Sequence, residues 1–133
     1  AERGDADRWS FKIVPGGLID VEFAAQFALL SGLERHAGEP TAQTLRRAAA
    51  DKRLGDDAWM DLAEASDFQG ALMQLIRIAD DRAFDPEAAP AGFKRFLAQQ
   101  MKEPDVSVLS ARLSDIQDAA EKAFFRVLER AAV

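Results

Sequence analysis

The chain contains no cysteine, which excludes disulfides, thiolate metal sites and cysteine nucleophiles and fits a reducing, cytoplasmic setting. Histidine is almost as scarce. With His36 alone, histidine–cysteine metal clusters and Cys-His dyads are out, and a Ser-His-Asp triad would have to recruit that one side chain. No run approaches the ~18 consecutive apolar residues that a membrane helix needs. The opening residues, AERGDADRW, lack the basic flank, apolar stretch and small-residue cleavage site of a signal peptide. Positive charge is in the minority: 17 basic residues face 23 acidic ones, a formal net charge of −6. Such a surface repels phosphate backbones, and the short pairs Arg46–Arg47 and Lys52–Arg53 read as solvated helix faces. Neither nucleic acid nor a membrane is expected as a partner. Walker A spacing and G-x-G-x-x-G are both missing.

What is present suffices for one domain. The 133 residues are 48% hydrophobic and 30% charged, the usage of an ordinary globular chain long enough to bury a core. Residues 1–8 are polar and expected to be disordered. WSFKIV (9–14) reads as a short extended segment or strand, broken by Pro15, Gly16 and Gly17. Helical spacing then predicts helices from Leu18 to Leu33, from Thr41 as N-cap to Leu54, and from Asp56 or Asp57 to Asp80. Gly70 in the third suggests a close helix contact. After a Pro-containing loop over 82–93, a short helix carries Phe93, Phe96 and Leu97 and ends before Pro104. A last one spans Val106 to Ala131, with Leu109, Leu113, Ile116, Ala120, Ala123 and Val127 on one stripe. The expected fold is a single all-α domain over 1–133, about five helices in a bundle with a short extended N-terminal segment.

Within the most apolar stretch, FKIVPGGLIDVEFAAQFALL, stand Lys12, Asp20, Glu22 and Gln26. A helix apolar on nearly all sides is expected to be buried, which makes its polar residues the anomalies. Glu22 and Gln26 share a face, whereas Asp20 and Glu22 lie about 200° apart round the helix and should not share a metal ion. Asp20, in the first turn, can complement the helix dipole and bind free amides of the turn. Glu22, if buried, needs a partner such as Lys12 or Arg77. The Pro-Gly-Gly turn also resembles an anion-binding turn, though it is too short to stand alone. His36 sits at a helix end, suited to terminal carbonyls, and the acid pairs Asp56–Asp57 and Asp80–Asp81 suit helix boundaries. Trp9 and Trp59 read as core or docking residues.

The pattern K-x-x-x-G-G-L-x-D-x-E-F-x-x-Q is formed here by Lys12, Gly16, Gly17, Leu18, Asp20, Glu22, Phe23 and Gln26. It resembles the signature that follows a nucleotidyltransferase domain in the bifunctional glutamine synthetase adenylyltransferase/adenylyl-removing enzymes. The stretch LMQLIRIADDRAFDPEAAPAGFKRFLA extends the resemblance over most of the chain. It implies a helical domain at the C-terminal end of the half that transfers AMP from ATP, with Mg²⁺, to a tyrosine of glutamine synthetase. It also implies regulation by PII protein and glutamine. The family's transferase domain carries a G-S motif followed by D-x-D carboxylates on a strand; no such segment exists here, and AERGDADRW reads as a cut just after it. The resemblance therefore implies a chain with no catalytic residues, no metal ligands, no cofactor of its own and no turnover alone. Its partners would be glutamine synthetase, PII protein and its own nucleotidyltransferase domain. Lys12, Gly16, Gly17, Asp20, Glu22 and Gln26 become candidates for a nucleotide-proximal edge or domain interface, with Lys12 reaching a triphosphate. A different reading makes the chain an acidic helical module that binds glutamine synthetase or PII protein without contacting nucleotide, and a third a free-standing scaffold.

Overall fold

The computed structural model describes residues 8–79 and 84–131. Five α-helices have their bounds there: α1 (Leu18–Leu30), α2 (Thr41–Ala50), α3 (Ala58–Ala79), α4 (Ala91–Gln100) and α5 (Val106–Ala131). No strand occurs among the described residues, so the all-α bundle expected from helical spacing is what forms. Residues 1–7, expected to be disordered, lie outside the described ones, as do Asp80 and Asp81. Arg8 departs from that expectation, since its guanidinium reaches Asp118 on α5 at 2.9 Å.

The leading segment is not extended. Residues 9–17 form consecutive turns, with Ile13 N–H bonded to the Ser10 carbonyl and Gly17 N–H to that of Val14. The reason is where the apolar side chains go: Trp9, Phe11, Val14 and Leu18 are all buried, at spacings that no period-2 strand can direct to one side.

Two helix ends fall short of expectation because local hydrogen bonds compete with the helix. At the end of α1, Leu33 N–H bonds the Ala28 carbonyl and Gly32 N–H bonds that of Leu29, the paired closure of a Schellman turn, and Leu33 is buried over it. After α2, the Asp51 carboxylate takes the N–H groups of Arg53 and Leu54 at 2.8 and 2.9 Å. The N-cap expected at Thr41 does not form: Thr41 is the first residue of α2, and Pro40 takes the cap position with no side-chain cap bond, its carbonyl accepting from Gln43 and Thr44 N–H. Before α3, Asp56 accepts from Ala58 N–H at 2.9 Å as expected of a cap there, and Asp105 accepts from Val108 N–H at 2.9 Å at the start of α5.

The long helix α3 packs against each of the other four. Trp59, Leu62 and Leu72 from α3 meet Val21, Leu45, Leu97, Leu109 and Leu113 in the core. All six residues of the expected α5 stripe are buried. Gly70, by contrast, marks no close contact, for a Cβ there would meet nothing within 4 Å.

Candidate functional site: the Gly16 turn and the two faces of the first helix

Gly16 and Gly17 are required by close approach. Gly16 has φ +78, and a Cβ there would sit 2.1 Å from the Gln117 carbonyl oxygen; one on Gly17 would sit 2.3 Å from that of Phe11. The turn is then tied on every side. Gly16 N–H donates to Asp20 Oδ2 at 2.8 Å, the structural part expected of an acid in the first helical turn. Its carbonyl accepts from Gln69 Nε2 at 3.1 Å. Gln117 Nε2 donates to Gln69 Oε1 at 3.0 Å and to the Arg8 carbonyl at 2.9 Å. Both glutamines are 0% exposed, so a closed amide chain runs from Arg8 through α5 and α3 to Gly16.

This bonding changes the meaning of the Pro-Gly-Gly turn. The amides of Gly17, Leu18 and Ile19 donate to the carbonyls of Val14, Phe11 and Lys12 at 2.8 to 3.0 Å. With Gly16 N–H also taken by Asp20, the amides that a phosphate would need are already used. The turn is a packing device, not an anion cradle.

The burial expected of Glu22 is overturned as well. Glu22, Gln26 and Lys12 are exposed, Asp20 is half-buried, and Arg77, the other suggested partner, is exposed on α3. Among the described residues Glu22 makes no ion pair. The reason lies in the helix around it. Leu18, Val21, Ala24, Ala25 and Ala28 fill the inner face of α1. Ile19, Glu22, Phe23, Gln26 and Leu30 follow helical spacing on the opposite face, within an arc of about 100°. That outer face is apolar too, yet open: Leu30 is 82% exposed, Ile13 beside its start 74%, Phe125 on α5 55%, Phe23 54% and Ile19 50%. Phe23 meets Phe124 edge-on at 5.8 Å, and Phe124 meets Phe125 at the same distance, so the stripe continues onto α5. Lys12 stands at its edge, its carbonyl bonded to Ile19 N–H.

The other polar groups singled out in the sequence are structural. Glu39 receives Arg47 through both carboxylate oxygens at 2.8 Å and Thr44 Oγ1 at 2.7 Å; the Arg47 and then the Thr44 hydrogen bond hold its carboxyl at about 2. Arg47 is thus a clasp for the α2 entry, not half of a solvated pair. His36 lies between the carboxylates of Glu34 and Glu39 at 3.5 and 3.6 Å instead of meeting helix-end carbonyls. Asp56 joins the start of α3 to the end of α5. The Ala58 amide, followed by Arg126 at 2.8 Å, keeps its carboxyl at about 2, with Arg130 bonded to the same oxygen. Both tryptophans are core: Trp9 Nε1 donates to Ser110 Oγ and Trp59 Nε1 to the Leu54 carbonyl, each at 2.9 Å.

Among the described residues no three metal-ligating side chains converge. Asp20 is turned into the Gly16 amide while Glu22 faces out, so the D-x-E pair does not fit a Mg²⁺ ion, and of the candidate residues only Lys12 offers a cation to a nucleotide. No described helix is long and apolar enough to cross a membrane. The site residues missed in the sequence are Gln69, Gln117 and Arg8. The glutamines had a readable signal, since each falls on the buried stripe of its helix, between Ala65 and Leu72 and beside Ile116.

No protein-family model matches the chain, and no solved structure does. Curated proteins do match. A bifunctional glutamine synthetase adenylyltransferase/adenylyl-removing enzyme of Agrobacterium fabrum is 33% identical over 96% of this chain and 13% of its own length. Proteins of the same name from Xanthobacter autotrophicus and Rhizobium meliloti are 35% and 34% identical, over 99% and 98% of this chain and 14% of theirs. The chain thus spans only about an eighth of the relatives' length. Along nearly all of its residues, it is a relative of one segment of the bifunctional glutamine synthetase adenylyltransferase/adenylyl-removing enzymes.

Proposed function

We propose that this chain is a noncatalytic helical module of an enzyme that transfers AMP from ATP to glutamine synthetase, placed at the C-terminal end of its adenylylating half. Similarity over nearly the whole chain, to proteins whose name states adenylyl transfer to glutamine synthetase, is the observation that carries this reading. Among the described residues no three metal-ligating side chains converge, and the amides of the Pro-Gly-Gly turn are already bonded within the chain. In this reading Mg²⁺ and most of the ATP contacts belong to the nucleotidyltransferase domain. This module supplies Lys12, an exposed ammonium on a turn whose backbone is locked by Gly16, Gln69 and Gln117. A compact positive charge on a fixed mount is suited to a triphosphate. The enzyme would work in the cytoplasm, with PII protein among its regulators.

The test compares AMP transfer to glutamine synthetase across ATP concentrations for the longer enzyme, unaltered and with Lys12→Ala or Glu22→Gln, with melting curves alongside. The expected result for Lys12→Ala is a raised apparent KM for ATP at unchanged melting temperature. Transfer that is indifferent to Lys12 and Glu22 at every ATP concentration contradicts a nucleotide-proximal role. Loss of glutamine synthetase affinity with normal ATP dependence would make the chain an interaction module instead.

A further inference from the structure

Resting on the reading above, we propose that the outer stripe of α1, with Phe124 and Phe125 of α5, is the surface on which another domain of the same polypeptide docks. A helix apolar on both sides is the pattern of one buried on both sides, and this bundle covers only the inner one. Large side chains stay open to water along the other: Ile19, Phe23 and Leu30, joined through the Phe23–Phe124 and Phe124–Phe125 edge contacts to α5. A contiguous patch of this kind marks a contact surface. The choice of occupant follows from length. The chain matches 13–14% of its relatives, so most of such a polypeptide lies outside these residues and is present at a high effective concentration.

The stripe also describes its complement. Glu22 and Gln26 stand in its middle, exposed and four residues apart. Burying them against a wholly apolar partner would strand a carboxylate and an amide. The docking face must therefore be largely apolar and carry a cation or paired hydrogen-bond donors opposite Glu22, with a polar group opposite Gln26. A second copy of this chain offers mainly the same acid to the same acid, which disfavours self-pairing through this face.

Hydroxyl-radical footprinting tests this, with the 133-residue chain and the longer polypeptide labelled side by side and Met60, exposed on α3, as the internal reference. The expected result is labelling of Phe23, Leu30 and Phe125 in the short chain and its loss in the long one, with Met60 unchanged. Leu30→Glu in the long polypeptide should restore labelling of Phe23, while leaving the short chain's melting temperature in place. Equal labelling of Phe23 in both overturns the proposal. So does protection that grows with the concentration of the short chain, which assigns the face to a second copy, and so does protection that appears only on adding glutamine synthetase. AMP transfer is measured on the same long polypeptide. An active enzyme with an open stripe refutes the docking alone; a protected stripe without transfer refutes the proposed function alone.

Discussion

Inward, α1 presents Leu18, Val21, Ala24, Ala25 and Ala28; outward, it presents Ile19, Phe23 and Leu30 around Glu22 and Gln26. Three of the inner residues are alanines, and packing of α1 against α2, α3 and α5 closes this face from water. The outer ones are large and stay open to water, with Phe23 meeting Phe124 and Phe124 meeting Phe125 edge-on. Polar groups follow the same division. The inward amides, Gln69 and Gln117, have their hydrogen bonds met within the domain, whereas Glu22 and Gln26 stand in solvent. Core position demands internal satisfaction of every buried polar atom; a surface awaiting a partner does not.

Glycines break this comparison most sharply. Gly16→Ala adds a Cβ 2.1 Å from the Gln117 carbonyl at a positive φ, so the turn or the α5 backbone must shift. The expected cost is about 3 kcal/mol or more in urea denaturation. Gly70→Ala, in open space inside α3, should go the other way and stabilise by about 0.5–1 kcal/mol. If both substitutions behave alike, the packing account of the Gly16 turn fails.

Acid sharpens the comparison at the bundle's ends. Glu39 and Asp56 are depressed to about 2 from 4.5 and 3.8 by their arginine and amide partners. A lowered carboxylate contributes stability that is present above its unfolded pKa and lost as protonation reaches the folded one. Melting temperature should therefore be flat near neutrality and fall from about pH 5 towards pH 2. In Glu39→Gln and Asp56→Asn that fall should be shallower. A decline beginning near pH 7 in the unaltered chain would point to other groups.

The helices were legible because each buried stripe repeats at helical spacing: Leu109, Leu113, Ile116, Ala120, Ala123 and Val127 define α5 with no help from tertiary contacts. The ends of α1 and α2 were not, since the Leu33 closure and the Asp51 carboxylate bonds are side-chain and backbone choices that hydrophobic spacing does not register. Residues 9–14 misled because β-branched and aromatic residues in a row satisfy a strand pattern, while their burial is set by the surrounding helices. Glu22 misled for a related reason. Apolar neighbours imply burial only when a helix has one apolar face, and α1 has two. The motif from Lys12 to Gln26 spans both the locked turn and the open stripe.

The most direct measurement is urea denaturation of the 133-residue chain carrying Glu22→Ala, Gln26→Ala and Leu30→Ala together, beside Gln117→Leu. An outer stripe that its own domain leaves uncovered predicts a triple variant within about 1 kcal/mol of the unaltered chain. Gln117→Leu, which strips the Gln69 amide oxygen and the Arg8 carbonyl of their donor, should lose about 2 kcal/mol. A triple variant that loses several kcal/mol would put Glu22, Gln26 and Leu30 in the core and contradict the division of α1 into an inner and an outer face.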